Sequence, residues 1–223
     1  MIEELRDDAA STVVAQVRAP DSRIPRRAVR EERPPAERIL DGAEAMFAQH
    51  GYAGSSLRMI AASVNVSHPG LLHHFPSKAS LLSGVIDRQE AAAQEALDRC
   101  AAVDADPQAV LEHIVDVLDP CSPAHQLLAV LDTEAVNSDF PGRFRIARLR
   151  RVYEHILARC VESLSRRGGL RGGASPEFAA RVLMSLAMGH AVRERSVRAL
   201  QREAHHDDPR EDLRAIVALL LAP

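Results

Sequence analysis

The chain has few aromatic residues, which make up 3% of its 223 residues, and it has no tryptophan. Apolar residues still account for 46% of the sequence, which is enough for a folded core and excludes a wholly disordered protein. Aromatic and β-branched residues favour strands, and their scarcity beside abundant alanine and leucine favours helices. We therefore expect an all-α fold of about nine helices.

Cysteines and long apolar stretches are also scarce. Cys100, Cys121 and Cys160 are widely spaced and form no C-x-x-C pair, so the sequence predicts neither a disulfide framework nor a zinc site. The chain has no run of 18 apolar residues, and it begins with acidic rather than basic residues. We therefore expect a cytoplasmic protein with no membrane partner, no metal site and no cofactor.

Acidic residues are absent from the stretch between Ala45 and Ile86, although the whole chain carries 31 of them. A random stretch of this length would contain about six, by simple proportion. The stretch does contain Arg58, His68, His73, His74 and Lys78, which is the only lysine of the chain. Because a phosphate backbone repels carboxylates, this charge pattern is typical of a DNA-binding surface. A chance gap in an alanine-rich chain is the alternative interpretation.

Two short helices joined by a tight turn are predicted within the same stretch. Apolar residues recur at helical spacing over 57–64, after Ser56, whose side chain can accept a hydrogen bond from a free first-turn amide. Asn65 interrupts this period, and a second helix can begin at Ser67 because Pro69 is tolerated in a first turn. That helix has only about two turns, so it depends on neighbouring helices for stability. This arrangement is typical of a helix-turn-helix motif.

Three segments follow from the pattern along the chain: a tail at 1–33, a helix-turn-helix DNA-binding domain at 34–80 and a helical domain at 81–223. Prolines and arginines crowd the tail, which we expect to be mobile, and its contact with DNA is left open. The first helix starts after Pro35 and ends at Gly51. Apolar spacing then predicts helices from Ser77 to a break at 104–107, and at about 108–118, 124–137, 143–167, 177–202 and 209–221.

Four motifs of the sequence resemble the tetracycline-repressor (TetR) family of bacterial transcription regulators. They read FAQHGY at 47–52, SSLRMIA at 55–61, VS at 66–67 and LLHHFPSK at 71–78. The resemblance implies a helix-turn-helix domain followed by a helical domain for ligand binding and dimerisation, with the last two long helices at the dimer interface. It also implies a function, that of a ligand-released repressor that binds double-stranded DNA as a homodimer. A two-fold dimer would bind an inverted-repeat operator.

The resemblance also assigns DNA-binding roles to single residues of the motif. Arg58 corresponds to a position that often contacts a base or a phosphate, and 68–73 corresponds to the groove-facing side of the second motif helix. The remaining positions correspond to backbone-contacting or capping residues. Leu72 departs from the family, which commonly has a phosphate-contacting tyrosine there. The predicted DNA-binding residues are Ser55, Ser56, Arg58, His68, Pro69, Gly70, His73, His74 and Lys78.

A site for a small-molecule effector is predicted in the second domain, between the helix after Ser77 and the later helices. That domain is larger than dimerisation alone needs, and an effector acts by binding one arrangement of the DNA-binding heads more tightly than another. Such pockets combine an apolar lining with a few polar groups. The predicted lining is His125, Leu128, Leu131, Glu134, Asn137, Ile156, Met184 and Met188, although each could equally be part of the core.

Two other functions are left open by the sequence. A helical metal-binding protein or enzyme would use His73, His74 and scattered carboxylates, but the chain has no H-E-x-x-H motif and no phosphate-binding glycine loop, so we expect no enzyme. A regulator that recruits a protein partner is the second alternative. The run from His205 to Asp208 is interpreted as a solvated linker, because adjacent side chains rarely converge on one ion.

Overall fold

The computed structural model describes residues 33–166, 169–200 and 208–221. These ranges contain no β-strand, only an isolated antiparallel bridge between Leu170 and Leu221. The predicted all-α fold is therefore confirmed. The predicted tail, apart from Arg33, and the run from His205 to Asp208, apart from Asp208, lie outside the described residues. The helices are α1 (Pro35–Gly54), α2 (Leu57–Ser63), α3 (His68–His74), α4 (Lys78–Val103), α5 (Pro107–Val117), α6 (Pro123–Glu134), α7 (Arg143–Ser165), α8 (Pro176–Arg195), α9 (Val197–Leu200) and α10 (Pro209–Leu220), with a 3-10 turn at Arg171–Gly173.

Four of the later helices begin with a capping residue followed directly by proline. The Ser122 side chain, for example, accepts a hydrogen bond at 3.1 Å from the backbone N–H of His125 at the start of α6. Asp106, Ser175 and Asp208 cap α5, α8 and α10 in the same way. Proline suits the first helical position because the N–H that it lacks would have no helical partner there. These local signals explain why the predicted helix starts lie close to the observed ones.

The end of α1 is predicted correctly from the sequence, whereas the end of α8 is not. Gly51 has a φ of +73°, which stops the regular part of α1 where the sequence predicts. The prediction of one helix over 177–202 is wrong, because α8 ends at Arg195 and the short α9 follows. Ser196 departs from helical geometry (φ −105°, ψ −83°), and its hydroxyl donates to the carbonyl of Val192 at 2.8 Å. A side-chain bond of this kind competes with helix continuation.

One apolar core extends from α1 to α10. α1 packs against α4 and α6, and α7 packs against α4 and α8. Small side chains on the buried face of α8 allow α7 to approach closely; they are Ala179, Ala180, Ala187 and Ala191. The predicted domain boundary after residue 80 falls within α4, which packs on both parts, and it stays a prediction. None of the helices in the described ranges is long and apolar enough to cross a membrane.

Candidate nucleic-acid interface

The first three helices form a small unit that α4 closes from one side. Phe47 of α1, Ile60 of α2 and Leu71 of α3 are all fully buried in it. Gly42 sets the distance between α1 and α2, since a Cβ atom at this position would lie 2.4 Å from Val64 Cγ1. Because these apolar faces point inward, the opposite faces of α2 and α3 are left to solvent.

The turn between α2 and α3 is fixed by one backbone conformation and two hydrogen bonds. Asn65 adopts a φ of +55°, in the left-handed region that asparagine tolerates better than most residues. Arg38 of α1 donates from Nη2 to the carbonyl of Val64 at 2.7 Å, and this satisfies the end of α2. Ser67 then caps α3 by accepting from the N–H of Gly70 at 3.1 Å. The sequence does not predict this role of Arg38, because the contact joins residues 26 positions apart.

Most of the predicted DNA-binding residues lie on the solvent side of this unit. Ser56, Arg58, Pro69, His73 and His74 are exposed, and His68 and Gly70 are half-buried. The Ser56 side chain also accepts from the N–H of Met59 at 3.2 Å and so caps α2. The rings of His73 and His74 meet edge to face, with centroids 5.4 Å apart. The structure thus presents an arginine, two imidazoles and two helix caps on α2 and α3, which we call the α2–α3 surface.

Ser55 and Lys78 are placed inside the fold instead. The buried Ser55 hydroxyl lies 2.6 Å from the carbonyl oxygen of Gly51. The Lys78 ammonium donates to the carbonyl oxygens of Tyr52 at 2.8 Å and Ser55 at 2.9 Å, and it lies 4.3 Å from the centroid of the Tyr52 ring. These contacts join the end of α1 to the start of α4. Contact of either residue with DNA stays a prediction.

The carboxylates of α1 that precede the acid-free stretch are paired with an arginine. Arg88 of α4 binds Glu37, Asp41 (2.8 Å) and Glu44 (3.5 Å). Burial raises the pKa of Glu44, and the neighbouring Arg88 guanidinium partly offsets that effect. The single positive charge of Arg88 therefore offsets only part of the negative charge of these three carboxylates.

Six of the predicted effector residues are buried in the part of the core that α6, α7 and α8 form: His125, Leu128, Leu131, Ile156, Met184 and Met188. His125 is unusual among them. Its ring packs edge to face on Tyr153, with centroids 5.7 Å apart, and its Nε2 has no hydrogen-bond partner among the described residues. Burial lowers the pKa of His125 to about 4, so the imidazole is neutral at pH 7. Buried polar atoms without a hydrogen-bond partner are uncommon in folded proteins.

Glu134 and Asn137 lie apart from this group. The Glu134 carboxylate accepts from the backbone N–H groups of Tyr52 and Ala53, and the exposed Asn137 accepts from the N–H of Asp139 at 3.0 Å. A cleft of about 340 Å³ lies between α7 and the start of α8, where other residues line it. Within the described ranges, no three His, Cys, Asp or Glu side chains gather into a metal-binding arrangement.

Sequence comparison supports the same part of the chain. Residues 39–85 match the family model of bacterial regulatory proteins of the tetR family. The HTH-type transcriptional repressor AcnR of Corynebacterium diphtheriae is 38% identical to this chain over 56 residues, which cover 25% of this chain and 29% of AcnR. The aligned stretch therefore covers less than two thirds of this relative.

Solved structures of low sequence identity share the fold over most of the chain. A TetR-family transcriptional regulator from Agrobacterium tumefaciens has a TM-score of 0.67 at 19% identity, covering 84% of this chain and 97% of that one. AibR, solved in complex with isovaleryl coenzyme A and operator DNA, has a TM-score of 0.62 at 18% identity, covering 84% and 98%. The predicted resemblance is thus confirmed, and this chain carries the amino-terminal domain of the tetR family of bacterial regulatory proteins within a fold that such regulators share.

Proposed function

We propose that the protein is a transcriptional repressor, and not an enzyme, which binds operator DNA through the α2–α3 surface. The observation that carries the proposal is the exposure of Arg58 and His73 on a helix-turn-helix within a stretch that has no acidic residue. A helix held in this way enters the major groove, where arginine forms paired hydrogen bonds with guanine. Residues 39–85 match the family model, AcnR is a repressor that is 38% identical to this chain over 56 residues, and the structure of AibR contains operator DNA.

The second part of the proposal is a homodimer formed by α8 and α10. Apolar side chains are exposed on both helices: Phe178 is 49% exposed, Val192 51% and Leu219 61%. Phe178, Ser185, Gly189 and Val192 follow one another at helical spacing, so they share one face of α8. Pairing this face with its copy removes the apolar side chains from water. A two-fold dimer presents two identical α3 helices, which suits an inverted repeat with half-sites about one helical turn apart.

The third part is release of the DNA by a small molecule that contacts His125. The unpaired Nε2 can donate or accept a hydrogen bond, depending on the tautomer of the neutral ring. Leu128 and Met184 belong to the same apolar core and would contact the apolar part of the effector. AibR, which has the same fold, was solved with isovaleryl coenzyme A. An effector of mixed character, apolar with one hydrogen-bonding group, fits this set of residues.

Selection of bound sequences from random DNA by the purified full chain tests the proposal. We expect enrichment of an inverted repeat, and loss of that enrichment when a pool of candidate metabolites contains the effector. Enriched sequences without dyad symmetry would contradict the homodimer. Absence of any enrichment over a mock selection would contradict sequence-specific binding itself.

A further inference from the structure

The sulfur atoms of two cysteines from distant parts of the chain are close neighbours. Cys100 lies near the end of α4 and Cys160 near the end of α7, and their Sγ atoms are 3.0 Å apart. Their spacing of 60 residues gives no motif, which is why the sequence predicts no pairing. A disulfide bond is about 2.05 Å long, so small side-chain rotations would bring the two sulfurs to bonding distance.

A cleft gives small molecules access to one of the two thiols. Cys100 borders a space of about 370 Å³ that Asp104, Arg159, Glu162 and Arg166 also line. Cys100 is 7% exposed, whereas Cys160 is 0% exposed and lies behind it. Burial and the neighbouring Cys100 raise the pKa of the Cys160 thiol. An oxidant that enters the cleft therefore meets Cys100 first, and Cys160 is the thiol placed to react second.

We propose that Cys100 and Cys160 form a peroxide-sensitive pair that closes to a disulfide between α4 and α7. In the first step, the Cys100 sulfur attacks one oxygen of a hydroperoxide, and the O–O bond breaks. The thiol proton passes to the leaving oxygen, which departs as water or an alcohol, and Cys100 becomes a sulfenic acid. In the second step, the Cys160 sulfur attacks the Cys100 sulfur and the S–O bond breaks. The leaving hydroxide takes the Cys160 proton and departs as water, so the two thiols together transfer two electrons to the peroxide.

The position of the pair links its oxidation to operator affinity, an inference that rests on the proposed function. α4 begins at Lys78, next to the α2–α3 surface, and Cys100 lies near its other end. A disulfide to α7 would fix α4 at that end and change its freedom to shift with the DNA-binding unit. Oxidation would then alter operator affinity by roughly fivefold or more. Cellular thiols reverse such disulfides, as expected for a transient redox-sensing bond in a reducing compartment.

Peptide mapping by mass spectrometry of the full chain, before and after hydrogen peroxide, tests the chemistry directly. We expect a linked peptide pair that contains Cys100 and Cys160 and separates again with dithiothreitol. The Cys121→Ser variant is the matched control and should form the same link, whereas Cys100→Ser should not. The proposal is overturned when both buried thiols still react with an alkylating agent under denaturing conditions after peroxide, or when the link involves Cys121 instead. The wild-type map decides this even where a variant folds poorly.

Operator binding by the oxidised and reduced chain tests the consequence. A change of affinity in the wild type that is absent in Cys100→Ser supports it. If the disulfide forms but operator affinity does not change, the proposal of a redox pair stands and the proposed effect of oxidation on DNA binding is overturned. A chain that binds no operator in either state contradicts the proposed function, while the peptide map still decides the redox pair.

Discussion

Glu134 holds Tyr52: the carboxylate in the last turn of α6 accepts a hydrogen bond at 2.8 Å from the backbone N–H of Tyr52, at the end of α1. It also accepts from the N–H of Ala53 at 3.1 Å, and the Tyr52 carbonyl accepts from Lys78 of α4. The end of α1 is therefore held from two sides. His125 lies on the same helix as Glu134, roughly 13 Å away along the helix axis. A shift of α6 caused by a ligand at His125 would therefore move the end of α1 through Glu134.

The first prediction concerns this contact. Glu134→Ala should lower the free energy of unfolding by about 1–3 kcal/mol, because two backbone donors lose a charged acceptor. It should also reduce the effect of the effector on operator affinity. Urea unfolding and DNA titration measure the two effects. The control is Glu95→Ala, which removes an exposed carboxylate of α4, and equal losses in both variants would contradict the role of Glu134.

A second prediction tests the dimer face of α8. Gly189 is exposed, and among the described residues nothing lies within 4 Å of the position where its Cβ would be. Gly189→Arg should therefore leave the folded chain intact, as judged by circular dichroism, but separate the dimer. Ala92→Arg places the same charge on the exposed side of α4 and serves as the control. Sedimentation should show a monomer for the first variant and a dimer for the second; a dimer in both would place the interface elsewhere.

The third prediction is a pH dependence that comes from His125. Its folded-state pKa of about 4 lies below the ordinary 6.5, so the unfolded chain binds more protons between these values. The stability due to neutral His125 is complete above pH 6.5 and is lost as the pH falls towards 4. Between pH 7.5 and pH 5 this loss amounts to about 2 kcal/mol.

Urea unfolding of the wild type and His125→Leu at these two pH values measures that loss. The variant should be less sensitive to pH by about this amount. Burial also lowers the pKa of His113, but that residue is present in both proteins and its effect cancels in the comparison. The same pH sensitivity in both proteins would show that His125 is not buried as described.

Features with local causes could be predicted from the sequence. The helix-turn-helix follows from Ser56, Asn65 and Ser67, because capping and turn residues act within a few positions of the chain. The exposed side of α3 follows in the same way, since Leu71 fixes which face is buried. The end of α8 is not predicted correctly, because nothing in the sequence distinguishes Ser196 from other polar residues of a helix. Its effect comes from the hydrogen bond that its hydroxyl donates to the carbonyl of Val192.

Features that depend on distant partners could not be predicted. Lys78 has the charge and position of a phosphate contact, yet its ammonium binds carbonyls of the α1 end, 26 and 23 residues away. Glu134 is predicted in the effector site, which stays a prediction, but its hydrogen bond with the N–H of Tyr52, 82 residues away, has no signal in the sequence. Periodicity places a side chain on a face of its own helix but does not identify the residue opposite.

The most direct test of the central claim is a comparison of Arg58→Ala with the wild type by fluorescence anisotropy on the selected operator and on scrambled DNA. Arg99→Ala, which removes an exposed arginine of α4, is the control. If the α2–α3 surface reads DNA, Arg58→Ala should weaken operator binding by about 1–3 kcal/mol and scrambled DNA much less, while Arg99→Ala changes neither. Equal weakening on both DNAs, or none on the operator, would contradict the claim that this surface reads sequence.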